Sequence, residues 1–273
     1  MNSILAIAAC EFRISRRNNL LRATVAMMVL FAVSLTVLGS GATGALGVDM
    51  LTAASASLAT LSVYIVPLIA LLLSFDAIAG EVDRGTLALV LSYPAPRTSL
   101  VIGKLLAHLL ALGVALVLGY GAAIAVCLAL GTVSTASLLL VLKLTIGGLL
   151  LGAAFLGLGY ALSAWAKGAG AAAGYAIGIW LVFVVLYDVA LLAGLVLSGA
   201  DGAFTQDFFP WLLIANPADA FRLVTLPTGQ AAELASGFVS ADLARSYAPM
   251  VSLLAWPLAA LGLAAFAMRR VEP

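Results

Sequence analysis

Six stretches of this chain are apolar over roughly the length of a bilayer-crossing helix, and any fold must find a water-free home for all of them. They cover residues 21–40, 57–78, 100–130, 136–164, 170–198 and 248–268. About 20 apolar residues in a helix span the hydrocarbon core. A soluble domain would need roughly a quarter of its residues charged, whereas here charged residues make up 9% and hydrophobic ones 64%. Closed β-barrels are the other spanning solution, but runs such as Leu68 to Leu73 and Leu138 to Leu142 do not alternate. The expectation is an all-α integral membrane protein with six transmembrane helices. The third and fourth stretches exceed what a crossing needs and are expected to tilt or to turn outside the core.

Basic residues set the orientation, because loops rich in Lys and Arg stay cytoplasmic. With the N-terminus inside, Arg13, Arg16, Arg17, Arg22, Arg84, Arg97, Lys104, Lys167, Arg269 and Arg270 fall on the cytoplasmic side, and Lys143, Arg222 and Arg245 on the other. Both termini are therefore expected in the cytoplasm. No cleavable leader is expected either, since Glu11, Arg13, Arg16 and Arg17 stand where small residues would mark a cleavage site. Residues 1–20 instead read as an interfacial amphipathic helix. At 100° per residue, Ile4, Leu5, Ile7, Ala8, Phe12 and Ile14 share one arc and the arginines oppose it. Glu11 falls within the apolar arc and is the misfit. Residues 21–273 then form a single transmembrane domain.

Two polar connections interrupt the spans. The outer one, 199–247, carries Asp201, Asp207, Asp219, Glu233 and Asp242, the cluster Phe208-Phe209-Pro210-Trp211, and Asn216-Pro217, a helix-start signal. It reads as short helices forming a small extracytoplasmic cap, with Asp219 and Arg222 on one helical face. The inner one, 79–99, concentrates charge and has its own apolar run, Leu87 to Leu91, for which Thr86 is the expected N-cap. Tyr93-Pro94-Ala95-Pro96 forces a turn after it. A short helix tethered at both ends by spans is suited to receive force from a soluble partner.

Enzyme chemistry finds little support. No phosphate-binding G-x-x-x-x-G-K-[ST] loop occurs, the single histidine, His108, reads as a packed helix residue, and Cys10 and Cys127 fit no disulfide or metal spacing. A formal net charge of +1 points to no nucleic-acid partner.

The pattern D-x3-G-E-x-D-R-G-T-L-x-L-x-L-S-x-P-x-x-R-x5-G-K, read from Asp76 to Lys104, resembles the first cytoplasmic region of ABC-2 type transporter permeases. The six spans, the interfacial helix and the long connection between the fifth and sixth spans extend the resemblance over nearly the whole chain. Asn216 to Arg222 resembles a segment of the subgroup that serves nitrous oxide reductase maturation. The resemblance implies a bacterial inner-membrane location, a second copy of this chain, two copies of a cytoplasmic ATPase that carries the ATP and magnesium, and a periplasmic solenoid partner. It implies no cofactor on this chain and a role in supplying copper or a sulfur species. Glu81, Asp83, Arg84, Gly85, Thr86, Tyr93, Pro94 and Arg97 would then meet the ATPase, and Trp211, Asn216, Pro217, Asp219 and Arg222 the periplasmic partner.

Several features stay open on sequence alone. Gly170, Gly174 and Gly178, like Gly148 and Gly152, permit close helix approach, either between copies or within one. Asp188 is an acidic group inside a span, where it faces protein or a water-filled cavity, and serves either function or cap attachment. Met27, Met28, Met50, Cys127 and Met250 are candidate soft metal ligands, though Met also fills apolar gaps. The competing readings are an ABC-2 exporter of another substrate, an ATPase-independent secondary transporter, and an anchor that passes conformational change without a conduit.

Overall fold

The computed structural model describes residues 3–17, 19–39, 49–92, 96–131, 133–199, 202, 204–225 and 246–271. Tyr93 and Pro94 lie outside them. The described residues are nearly all helical, and six helices or helix pairs are long and apolar enough to cross a membrane.

Helix α1 (Ser3–Arg17) precedes the first span, α2 (Asn19–Gly39). The second span, α3 (Met50–Ser74), begins well before residue 57 because Asp49 caps it, accepting from Thr52 N–H at 3.0 Å. The same carboxylate accepts from Ser134 N–H at 3.0 Å, which ties the start of α3 to the start of the fourth span. Burial pushes the Asp49 carboxyl up, but hydrogen bonds from Thr52, Ser137 and Ser134 outweigh it and hold the group well below the usual carboxylate range.

After Phe75 the chain continues as α4 (Asp76–Asp83) and the short α5 (Leu87–Leu91). Helices α6 (Arg97–Leu130, 34 residues) and α7 (Thr135–Trp165, 31 residues) are each unbroken. At 1.5 Å per residue both exceed the roughly 30 Å of hydrocarbon, so they tilt or project. The α7 start carries a capping box between Ser134 and Ser137. The fifth span consists of α8 (Ala169–Trp180), a π-helical segment Leu181–Leu186, and α9 (Tyr187–Ser198). A second π segment, Phe204–Phe208, leads into α10 (Phe209–Ala215) and α11 (Pro217–Thr225), and α12 (Ala248–Met268) is the sixth span.

The core lies between α3, α6, α7 and α12, with Tyr120, Tyr160, Phe155 and Phe221 fully buried. Glycines set the closest crossings. A methyl group on Gly157 would come within 3 Å of the Ala260 backbone on α12, so α7 and α12 approach at a distance only glycine permits. Gly148 and Gly152 face Leu116 and Leu112 of α6, which assigns that pair to packing within one chain. Around Gly170, Gly174 and Gly178, by contrast, nothing lies within 4 Å. The fifth span is only 11% buried, against 67% for the second.

The described helices of the outer connection pack against the spans, α11 chiefly against α12 and α7. At the π segment, Tyr187 N–H bonds Val182 O, one residue beyond its α-helical partner, which frees Phe183 O. Asn216 Nδ2 donates to that carbonyl at 2.8 Å, midway along the fifth span. The last carbonyls of α10 are also satisfied by span side chains: Tyr187 OH donates to Leu212 O (2.7 Å), Ser252 Oγ to Ile214 O (2.5 Å) and Trp256 Nε1 to Ala215 O (2.8 Å). Trp256 is two turns inside α12. Broken backbone is tolerated at such depth only where its polar groups find protein partners.

Candidate functional site

The described part of the Asp76–Lys104 motif, α4, α5 and the start of α6, forms a junction with α1. Its terminal Gly103-Lys104 pair seats the N-terminal helix. A methyl group on Gly103 would collide with Ile7, so glycine lets α1 settle against α6. One turn along, Glu11 reaches Lys104, whose ammonium donates to Glu11 Oε1 at 2.5 Å and to Glu81 Oε1 at 2.7 Å. The Lys104 side chain is 3% exposed. Glu11, the acid that falls on the apolar face of α1, thus finds its partner in Lys104 near the start of α6. Lys104 sits between two carboxylates, and Glu81 Oε2 is buried without a hydrogen-bond partner.

Thr86 occupies the N-cap position of α5, as expected, but its side chain makes no capping hydrogen bond. Thr86 N–H bonds Glu81 O at 2.9 Å and Gly85 N–H bonds Val82 O at 3.0 Å, the paired bonds that close a helix C-terminus around a left-handed residue. Gly85, at φ 68°, is that residue. The Arg84-Gly85-Thr86 triplet therefore closes α4 and leads directly into α5.

Other predicted contacts turn inward. Asp83 Oδ2 accepts from Ala169 N–H at 2.8 Å and so caps the start of α8. Ser163 Oγ accepts from both Ile78 N–H and Ala79 N–H, at 3.0 and 2.9 Å. Arg97 Nη1 donates to the carbonyls of Met268, Arg269 and Val271 at 2.8–3.2 Å, fastening the end of α12 to the start of α6. Glu81, Asp83 and Arg97 accordingly stitch the loop to the bundle. What faces outward is smaller: Val82, Arg84 paired loosely to Asp76 at 3.5 Å, and Leu89 at 67% exposure, while Leu87 anchors α5 from below at 1%. The termini meet at this end, through α1 on α6 and Arg97 on the α12 carbonyls.

Deeper in the bundle, Arg222 Nη1 donates to Asp219 Oδ1 at 2.6 Å and Nη2 to Asp188 Oδ2 at 3.2 Å. Asp188 is thus an attachment point for α11, as one of its two sequence readings held. Asn216 and Asp219 are each 1% exposed and Pro217 is buried. In the single chain these residues hold α11 against the spans. Trp211, at 62% exposure, remains outward.

Of the soft-ligand candidates, Met50 and Cys127 come together beside Gly131, where a methyl group would lie 3.3 Å from Met50 Sδ and 3.7 Å from Cys127 O. Met27 and Met28 pack between α2 and α6, Met50 and Cys127 are buried, and Met250 is exposed on α12. No group of three or more His, Cys, Asp or Glu that could hold a metal occurs among the described residues. His108 is a satisfied core residue, its Nδ1 2.6 Å from Tyr160 OH.

A family model described as "ABC-2 family transporter protein" matches residues 5–272. The chain belongs to the ABC-2 transporter family. The family assignment thus covers the junction, the α10–α11 pair and all six spans together. The chain is also 40% identical to the probable ABC transporter permease protein NosY of Stutzerimonas stutzeri, and 42% identical to the protein of that name from Pseudomonas aeruginosa. Each alignment spans 99% of both chains.

Proposed function

We propose that this ABC-2 protein is the permease of an ATP-driven transporter and that a separate ATPase subunit docks on the surface formed by Val82, Arg84 and Leu89. The observation that carries the proposal is the inside-out division of the loop. Leu87 is buried and Glu81 and Asp83 bind the loop to α6 and α8, while an apolar residue at 67% exposure, Leu89, stands on its outer face. An exposed leucine on a rigidly held helix serves binding better than stability. A push on α5 would pass through α4 to α6 by Glu81–Lys104, to α8 by Asp83, and to α1 by Lys104–Glu11.

In this reading ATP and magnesium belong to two copies of the ATPase, this end of the bundle is cytoplasmic, and the membrane is the bacterial inner membrane. A second copy of the chain packs on the open Gly170–Gly174–Gly178 face of the fifth span. Resemblance to NosY favours nitrous oxide reductase maturation as the setting, with a NosD-like solenoid protein on the outer side receiving copper, a sulfur species or conformational work. The test is co-purification with the cognate ATPase: Leu89→Glu should abolish retention of the ATPase with the bundle's thermal unfolding unchanged. Full retention in Leu89→Glu and Val82→Glu alike would overturn the docking surface.

A further inference from the structure

The outward side of the α1–α2 elbow carries two grooves that share one residue. The first, about 900 Å³, is walled by Leu21, Val25, Val29 and Leu30 of α2 and headed by Arg16 and Arg22. The second, about 720 Å³, lies between α1 and α6, with Leu5, Phe12, Leu106 and Leu110 as walls and Arg13 and Arg16 at its head. Each is charged at one end and apolar along its length. Among the described residues none of these arginines joins an ion pair. The helix that carries Arg13 and Arg16 is held in place, because Ile7 on Gly103 and Glu11 on Lys104 clamp the opposite side of α1.

We propose that this elbow is a binding site for an anionic phospholipid, its phosphate on Arg16 and Arg22 and an acyl chain along Val25, Val29 and Leu30. Arginine's planar fork binds phosphate through paired hydrogen bonds, and a fatty chain matches the wall below. Inorganic phosphate would leave that wall unused. An acidic peptide would set unsatisfied backbone groups against it. A phospholipid satisfies both ends, and the bilayer supplies it at the depth where the groove opens.

The test is electron spin resonance of the full chain in nanodiscs, with spin-labelled phosphatidylglycerol compared against spin-labelled phosphatidylcholine. The wild type should hold the anionic lipid selectively, and each arginine lost in Arg16→Gln and Arg22→Gln should lower that selectivity roughly five-fold. The control Arg269→Gln/Arg270→Gln, which removes two charges elsewhere at the same end, should keep it. Val29→Trp, with both arginines intact, should also weaken retention by filling the wall. Unchanged selectivity in Arg16→Gln/Arg22→Gln, an equal loss in the control, or displacement of the lipid by excess inorganic phosphate would each overturn the proposal.

Discussion

Removing Lys104 should do far more damage than removing either of its partners. Its ammonium is the sole cation between Glu11 and Glu81 and is 3% exposed, while the two carboxylates are 18% and 14% exposed. Lys104→Met leaves both acids facing each other with no counter-charge in a poorly solvated junction. Breaking a buried pair in this way costs about 3–5 kcal/mol; the residual exposure of the acids argues for the lower end, about 3 kcal/mol. Glu81→Gln keeps the Lys104–Glu11 bond and an acceptor for the ammonium, so its cost is about 1 kcal/mol, the net worth of one hydrogen bond. The triple variant Lys104→Met/Glu11→Gln/Glu81→Gln removes all three charges and should recover most of the loss, because a neutral junction leaves no orphaned ion. Membrane proteins often unfold irreversibly, so the assay is the inactivation rate at fixed temperature in one detergent. A penalty of about 3 kcal/mol corresponds to roughly a hundred-fold faster inactivation. Equal rates for Lys104→Met and Glu81→Gln, or a triple variant worse than Lys104→Met, would refute the reasoning.

Further outcomes follow from individual contacts. Asn216→Ala strands Phe183 O and uncaps α11, a loss of about 2–4 kcal/mol; a thermal midpoint within error of wild type would count against the buried position of α11. Gly157→Leu should prevent stable insertion because α12 backbone occupies the space, whereas Gly174→Leu should leave the single chain intact and disrupt self-association, read by cross-linking in nanodiscs. Loss of the fold in Gly174→Leu would show that its face is packed within the chain. Asp49→Asn should destabilise most near neutral pH. A carboxyl held low in the folded state stabilises above its unfolded value of about 3.9, and this advantage fades as pH falls below it. The difference in midpoint between variant and wild type should therefore shrink in acid, and a difference that grows there would reverse the assigned sign.

The spans were legible because their signal is collective. Runs of twenty apolar residues survive any detail of packing, and the second span's start was missed by one feature, the Asp49 cap, whose second partner is Ser134 in a distant connection. The loop was legible as an element but not in its wiring. Gly85-Thr86 reads equally as a helix end or a helix start; it serves as both, and only the positive φ at Gly85 reveals the end. Glu81, Asp83 and Arg97 look like surface charges in sequence, since Ala169 N–H and the α12 carbonyls are backbone groups that leave no trace in residue identity. The strongest missed clue was chemical. Glu11 on an apolar face and Lys104 at the entry of a span were both costly alone, and pairing them would have placed α1 against α6.

The depth of Asn216 and Asp219 was hidden for a related reason. A polar Asn-Pro-x-Asp stretch in a connection suggests a water-facing turn, but here a π segment in the fifth span offers a free carbonyl and α12 offers Ser252 and Trp256. Neither the acceptor nor the donors are apparent from the connection's own residues.

The central claim is that Leu89 and Val82 form the surface through which an ATPase drives the bundle. The most direct measurement places a photo-cross-linking amino acid at position 89 in the full complex and identifies what it captures. The account predicts a covalent adduct with the nucleotide-binding subunit, and none from a control probe at exposed Leu197 at the far end of α9. Capture of that subunit from position 197, or none from 89 and 82 in an intact complex, would contradict it.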